Sequence, residues 1–152
     1  CIGAGLDLIS VCDLRLAAAD ANVSLRETKV AIVADLGSLQ FLPRIIGPAN
    51  TRMMAFTGRD YTATECQQMG LFNEVHPTPE ATLQAAQALA GEIAAQSGIT
   101  LRGVKHVLNF SERHTPETGM DYVSTWNAAF LESLDLAEAL AAFFEKRQPR
   151  FQ

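Results

Sequence analysis

Cys1-Ile2-Gly3-Ala4-Gly5-Leu6-Asp7-Leu8-Ile9 sets three small residues directly before an apolar run. Gly3, Ala4 and Gly5 form a small-residue turn. The apolar residues after it (Leu6, Leu8, Ile9, Val11 and Cys12) predict a short, mostly buried helix ending near Asp13. Small residues let a ligand come close to the backbone, and the first amides of a helix lack a carbonyl partner within it. Such a loop can donate a hydrogen bond to an oxygen that becomes negative during a reaction. As purely local structure, it is a glycine pair that solves a packing problem, and Asp7 is a carboxylate in a favourable first helical turn. The stretch also reads as the middle of a strand–loop–helix motif. The chain is therefore expected to be part of a longer protein, needing the remainder or an association through its exposed edge.

Outward from this turn, Leu14 to Ala18 and Val23 to Leu25 read as short strands separated by the Asp20-Ala21-Asn22 turn. Glu27 to Asp35 is irregular and apolar. Gly37 opens a helical pattern through Leu42, with Pro43 and Gly47-Pro48 as punctuation, and Asn50 to Phe56 is helical again. Thr62-Ala63-Thr64-Glu65 is a capping box, Gly70 a helix stop, and Leu71 to Val75 a brief strand. Thr78-Pro79-Glu80 starts a helix striped with Leu83, Ala86, Leu89, Ala90, Ile93 and Ala94. Ile99 to Lys146 reads as three helices broken near His114-Thr115-Pro116 and at Ser133. The expected class is α/β, with residues 1–97 as a strand-and-helix core and residues 98–152 as an all-helical region.

The bulk composition excludes several classes of function. Of 152 residues, 48% are hydrophobic and 19% charged, the balance of a globular domain rather than a disordered chain. The richest apolar run, Leu134 to Phe144, is interrupted by Asp135 and Glu138, so no membrane insertion is expected. The net charge is −5 and the basic residues are scattered, which disfavours nucleic acid as a partner. Cys1, Cys12 and Cys66 form no CxxC pair and read as reduced thiols, with Cys12 expected to be buried. His76, His106 and His114 lack metal-ligand spacing, and neither a metal nor a redox cofactor is expected. Arg147 to Gln152 carries no Ser-Lys-Leu address, and a cytoplasmic location is expected.

The candidate chemistry lies in three acids. Asp7 follows the glycine turn, and Glu27 sits just after a strand beside Arg26 and Lys29. Asp35 lies within Val30-Ala31-Ile32-Val33-Ala34-Asp35-Leu36, where burying an unpaired carboxylate would be costly. Glu27 and Asp35 are expected to converge on a cavity lined by Leu25, Ile32 and Leu36, with Asp7 approaching from its helix.

Cys1 to Leu8, Cys12-Asp13-Leu14-Arg15, Arg26-Glu27 and Ala34-Asp35-Leu36-Gly37-Ser38-Leu39-Gln40-Phe41-Leu42-Pro43 resemble the crotonase (enoyl-CoA hydratase/isomerase) superfamily. Phe56 to Asp60, the Glu65 helix, Met69-Gly70-Leu71 and Asn73-Glu74-Val75 continue the likeness. The tail, with Leu108 to Ser111, Tyr122-Val123-Ser124, Trp126-Asn127 and Asp135-Leu136, looks most like the Δ3,5-Δ2,4-dienoyl-CoA isomerases. The resemblance implies the C-terminal half of a ββα spiral, followed by helices that make subunit contacts in a trimer or hexamer.

It further implies an acyl-CoA substrate, with Glu27 as the catalytic glutamate, Asp35 as the second acid/base and Asp7 as a third carboxylate. Ala4 takes the place of the second oxyanion amide, flanked by Gly3 and Gly5 against the substrate. The first oxyanion amide and most CoA contacts would come from residues before Cys1. Arg44, Arg52, Arg59 and Lys105 could meet CoA phosphates or simply be solvated. An enoyl-CoA hydratase is the alternative, but it would carry a glutamate at position 7. A non-catalytic scaffold is the other, disfavoured because all three acids are present.

Overall fold

A computed structural model describes residues 1–151. The order is α1 (Ala4–Ser10), β1 (Leu16–Ala18), β2 (Asn22–Val23), a 3₁₀ turn (Glu27–Val30), α2 (Ser38–Ile45), α3 (Gly47–Thr57), β3 (Tyr61–Thr62), α4 (Ala63–Gln68), β4 (Glu74–His76), α5 (Pro79–Ala94), α6 (Gly98–Ser111), α7 (Pro116–Phe130) and α8 (Leu134–Glu145). The chain divides into two compact units, Cys1–Gln87 and Ala88–Gln152.

In the first unit, β1 pairs in parallel with β4, Ala17 opposite Val75. A parallel pair needs a crossover connection, here the whole run from β2 to α4. β2 pairs antiparallel with β3, Val23 opposite Tyr61, and Ile2 bridges Ser24 in parallel. The core lies under these ladders and is built from Leu6, Val23, Leu25, Leu42, Met54, Tyr61, Cys66 and Leu71. Burial pushes the Cys66 thiol up to about 11, so it packs as a small apolar side chain. Arg26 grips Asp60 with Nε at 2.9 Å and Nη2 at 2.6 Å, tying the chain after β2 to the residue before β3. This guanidinium holds the Asp60 carboxyl at about 2, well below the usual range.

Local signals place several element ends. The Thr62 hydroxyl accepts from the Glu65 amide at 3.2 Å, and the Glu65 carboxylate accepts from the Thr62 amide at 2.8 Å. Ser97, Thr115 and Ser133 each cap the helix that follows them. Other expectations fail where local pattern competes with context. α1 stops at Ser10 and buries only Leu6, Asp7 and Ser10. Leu8, Val11 and Cys12 are exposed, Cys12 because it falls in the turn beyond the helix. β1, β2 and β4 are shorter than expected or shifted, α2 runs on through Pro43, and α3 starts at Gly47 with Pro48 in its first turn. The α5 stripe is largely uncovered, with Leu83 exposed.

In the second unit α6 packs on α7. They approach closely at Gly103, where an added Cβ would stand 2.4 Å from Trp126 Nε1. Trp126 is itself held between His106 and Phe130, at centroid distances of 5.4 and 4.5 Å. The buried Ser97 hydroxyl donates to Asp135 at 2.6 Å, pinning the start of α6 to the first turn of α8. Among the described residues no helix is long and apolar enough to cross a membrane.

Two glycines in helices should respond oppositely to the same substitution. Alanine is favoured over glycine in a helix by about 1 kcal/mol. At Gly91, where nothing lies within 4 Å of the new methyl, Gly91→Ala should raise the melting temperature. At Gly103 the methyl meets an indole that cannot swing away, and overpacking of about 1–3 kcal/mol dominates. Gly103→Ala should lower the melting temperature in the same calorimetric comparison.

Candidate active site

The site is built on the turn that begins the chain. Gly3 has φ 55° and ψ −121°, a conformation that L side chains rarely adopt. Its N–H donates to the Ser24 carbonyl at 3.0 Å, and its carbonyl accepts from the Leu6 and Asp7 amides at 2.7 and 3.1 Å. The turn is thus pinned to the end of β2 on one side and to α1 on the other. Ala4 is the first residue of α1, so no carbonyl of the helix lies four residues behind its N–H. A Cβ on Gly5 would meet Cys1 Sγ at 3.8 Å, an ordinary contact.

Glu27 faces this turn. Its Oε1 lies 3.0 Å from where a Cβ on Gly3 would stand, so the glycine leaves room for the carboxylate. The other oxygen, Oε2, is buried and has no hydrogen-bond partner. An unpaired buried acceptor typically costs about 1–3 kcal/mol, so such a group calls for an explanation. Neighbouring bonds fix the backbone that carries it. The Glu27 carbonyl accepts from Ile32 at 3.0 Å, the Thr28 hydroxyl donates to the Ala55 carbonyl at 2.5 Å, and Arg26 is held by Asp60.

Asp7 is only 4% exposed, and its Oδ1 accepts the Ser38 amide at 2.7 Å. Asp35 stands elsewhere in the environment scale. It is exposed, on the arm between the 3₁₀ turn and α2, where only Ala34 is buried. The expected enclosed cavity is not walled as the sequence suggested. Leu25 is in the core, but Ile32 and Leu36 are 56% and 65% exposed. The physical reason is that residues 31–37 join neither ladder nor helix, so an apolar run does not become a buried one. The structure therefore joins Glu27 to the Gly3 turn and Asp7 to the start of α2, and leaves Asp35 exposed on the arm that follows Glu27.

Two supporting features escaped sequence reasoning. The Asp7–Ser38 bond spans 31 residues and the Arg26–Asp60 pair 34, and neither spacing carries a local signal. The positive φ of Gly3 was hinted at by glycine itself. Among the described residues no group of three or more His, Cys, Asp or Glu side chains gathers to hold a metal.

Comparison with known proteins places this geometry. Residues 1–152 match the family described as Enoyl-CoA hydratase/isomerase. The chain is 43% identical over 152 residues to a mitochondrial Delta(3,5)-Delta(2,4)-dienoyl-CoA isomerase of Dictyostelium discoideum, covering 100% of this chain and 52% of that protein. It is also 43% identical to the peroxisomal Delta(3,5)-Delta(2,4)-dienoyl-CoA isomerase of Arabidopsis thaliana, covering 99% of this chain and 54% of that protein. The chain thus spans about half the length of the curated relatives it matches. Among solved structures, the enoyl-CoA hydratase of Bacillus anthracis superposes with a TM-score of 0.94 at 32% identity, covering 99% of this chain and 58% of that one. The chain belongs to the enoyl-CoA hydratase/isomerase family.

Proposed function

We propose that the protein containing this chain is an acyl-CoA isomerase that moves a 3,5-dienoyl thioester into 2,4-conjugation, with Glu27 and Asp35 as its acid/base pair. The observation that carries this reading is the buried, unpartnered Glu27 Oε2 beside the Gly3 turn. A carboxylate kept free of hydrogen-bond donors in a partly buried site is available to take or give a proton. The isomerisation removes a proton from C2, next to the thioester carbonyl, and returns one at C6. Between these steps the charge spreads along an extended dienolate and onto the thioester oxygen. One carboxylate accepts the first proton and the other donates the second, so protons balance without a redox partner. The Ala4 amide is proposed as a donor to that oxygen, with Gly3 and Gly5 keeping the backbone accessible. Each such donor is worth roughly 10²–10³ in rate.

The names of the two isomerase relatives support this substrate class, and a place for the reaction in fatty-acid β-oxidation is part of the proposal. Those relatives are named mitochondrial and peroxisomal, so an organellar site stands beside the cytoplasmic expectation, and imaging of the tagged full-length protein separates the two. Hydration of an enoyl-CoA is the second reading, favoured by the likeness to the Bacillus anthracis enzyme. Against it, position 7 is an aspartate whose carboxylate is already engaged by an amide, leaving Glu27 without a matching glutamate to hold water. Homo-trimeric or hexameric assembly is proposed from the exposed apolar face of the second unit, where Phe143 and Phe144 are 77% and 76% exposed. The complete protein should therefore have the mass of a multimer at micromolar concentration, and a strict monomer would contradict this.

The catalytic reading is tested on the complete protein by following the ultraviolet absorbance of the 2,4-dienoyl-CoA product. Glu27→Gln and Asp35→Asn should each lower turnover by about 10²–10⁴ with the fold retained. Hydration of a 2-enoyl-CoA without any diene isomerisation would favour the second reading instead.

A further inference from the structure

Asp7, expected to be a third catalytic carboxylate, is buried and already holds a hydrogen-bond donor. Its side chain is buried, and Oδ1 is 2.7 Å from the Ser38 amide, the first N–H of α2. That helix start lacks a cap of its own, because Gly37 occupies the N-cap position with φ 122° and no side chain to offer. The orphan amide is therefore satisfied from α1, by a residue 31 positions earlier. The backbone of Asp7 is engaged as well. Its N–H donates to the Gly3 carbonyl at 3.1 Å, and its carbonyl accepts from the Ser10 hydroxyl at 2.7 Å. Asp7 thus grips the Gly3 turn, which faces Glu27, with its backbone, and grips Ser38, three residues after Asp35, with its side chain.

We infer that Asp7 is a positioning residue, setting the separation between the Glu27-facing turn and the arm that carries Asp35, and takes no proton itself. The inference rests on the acid/base roles proposed for Glu27 and Asp35, but the bond it names stands apart from them. What the task requires at position 7 is an acceptor oxygen rather than a charge. Asparagine keeps that oxygen and alanine removes it, leaving the Ser38 amide buried and unpaired.

The test compares Asp7→Asn and Asp7→Ala in the complete protein by turnover of 3,5-dienoyl-CoA, its pH profile, thermal melting, and hydrogen exchange of the Ser38 amide. Asp7→Ala should lower kcat by about tenfold or more with little change in KM, since misplacement of reacting groups by an ångström can cost that much. Its Ser38 amide should exchange at least about tenfold faster. Asp7→Asn should restore most of the lost turnover, slow Ser38 exchange again, and keep the wild-type pH profile. A folded Asp7→Asn protein as inactive as Glu27→Gln would overturn the inference, because the carboxylate would then belong to the chemistry. So would an Asp7→Ala protein with unchanged kcat and Ser38 exchange. If Asp7→Ala fails to fold, the asparagine variant decides by the same two readings. Wild-type protein inactive on the diene would sink the proposed substrate, while Ser38 exchange would still report on the Asp7 bond.

Discussion

The close approach of the Glu27 carboxylate to the Gly3 turn is the constraint on which the rest of the site depends. A side chain at Gly3 would be strained at φ 55° and ψ −121°, and its Cβ would crowd Oε1 at 3.0 Å. The turn cannot drift, because Ser24 holds its amide and two α1 amides hold its carbonyl. Glu27 cannot drift either, because the 3₁₀ turn that carries it is fastened at Arg26 and Thr28. Two rigid backbones thus hold one carboxylate oxygen in a place where it finds no donor. In the proposed reaction that oxygen would be free to take or give a proton.

The same logic ranks the three acids by environment rather than by sequence pattern. Glu27 is partly buried and one of its oxygens is unpaired, the state expected of a proton-transfer group. Asp7 is buried and paired, the state expected of a structural acceptor. Asp35 is exposed on an arm of irregular backbone whose apolar side chains, Val33 and Leu36 among them, are exposed too. On the proposed function, this arm is where an acyl chain would meet Asp35.

What was legible in the sequence was local. The Thr62 and Glu65 capping box, the turn at Gly3 and the breaks before α7 and α8 depend on residues a few positions apart, and pattern finds them. Glu27 stands out in the sequence only through its motif likeness, and its place beside the Gly3 turn comes from the fold. The failures share one cause. The apolar neighbours of Asp35 predict burial, but burial is decided by what packs against a segment, and residues 31–37 have little packed on them. The length of α1 was overread for the same reason. The ties from Asp7 to Ser38 and from Arg26 to Asp60 were invisible because they link residues brought together only by the fold.

Glu27 and Asp35 are proposed to move protons at opposite ends of one conjugated system. Hydrogen exchange with deuterated water, followed by nuclear magnetic resonance on both the 3,5- and the 2,4-dienoyl thioester, addresses this most directly. The wild-type protein should incorporate deuterium at both C2 and C6. Glu27→Gln and Asp35→Asn should each retain exchange at one end only, and at opposite ends from each other. Loss of the same end in both variants, or exchange at both ends in either one, would contradict the two-carboxylate account.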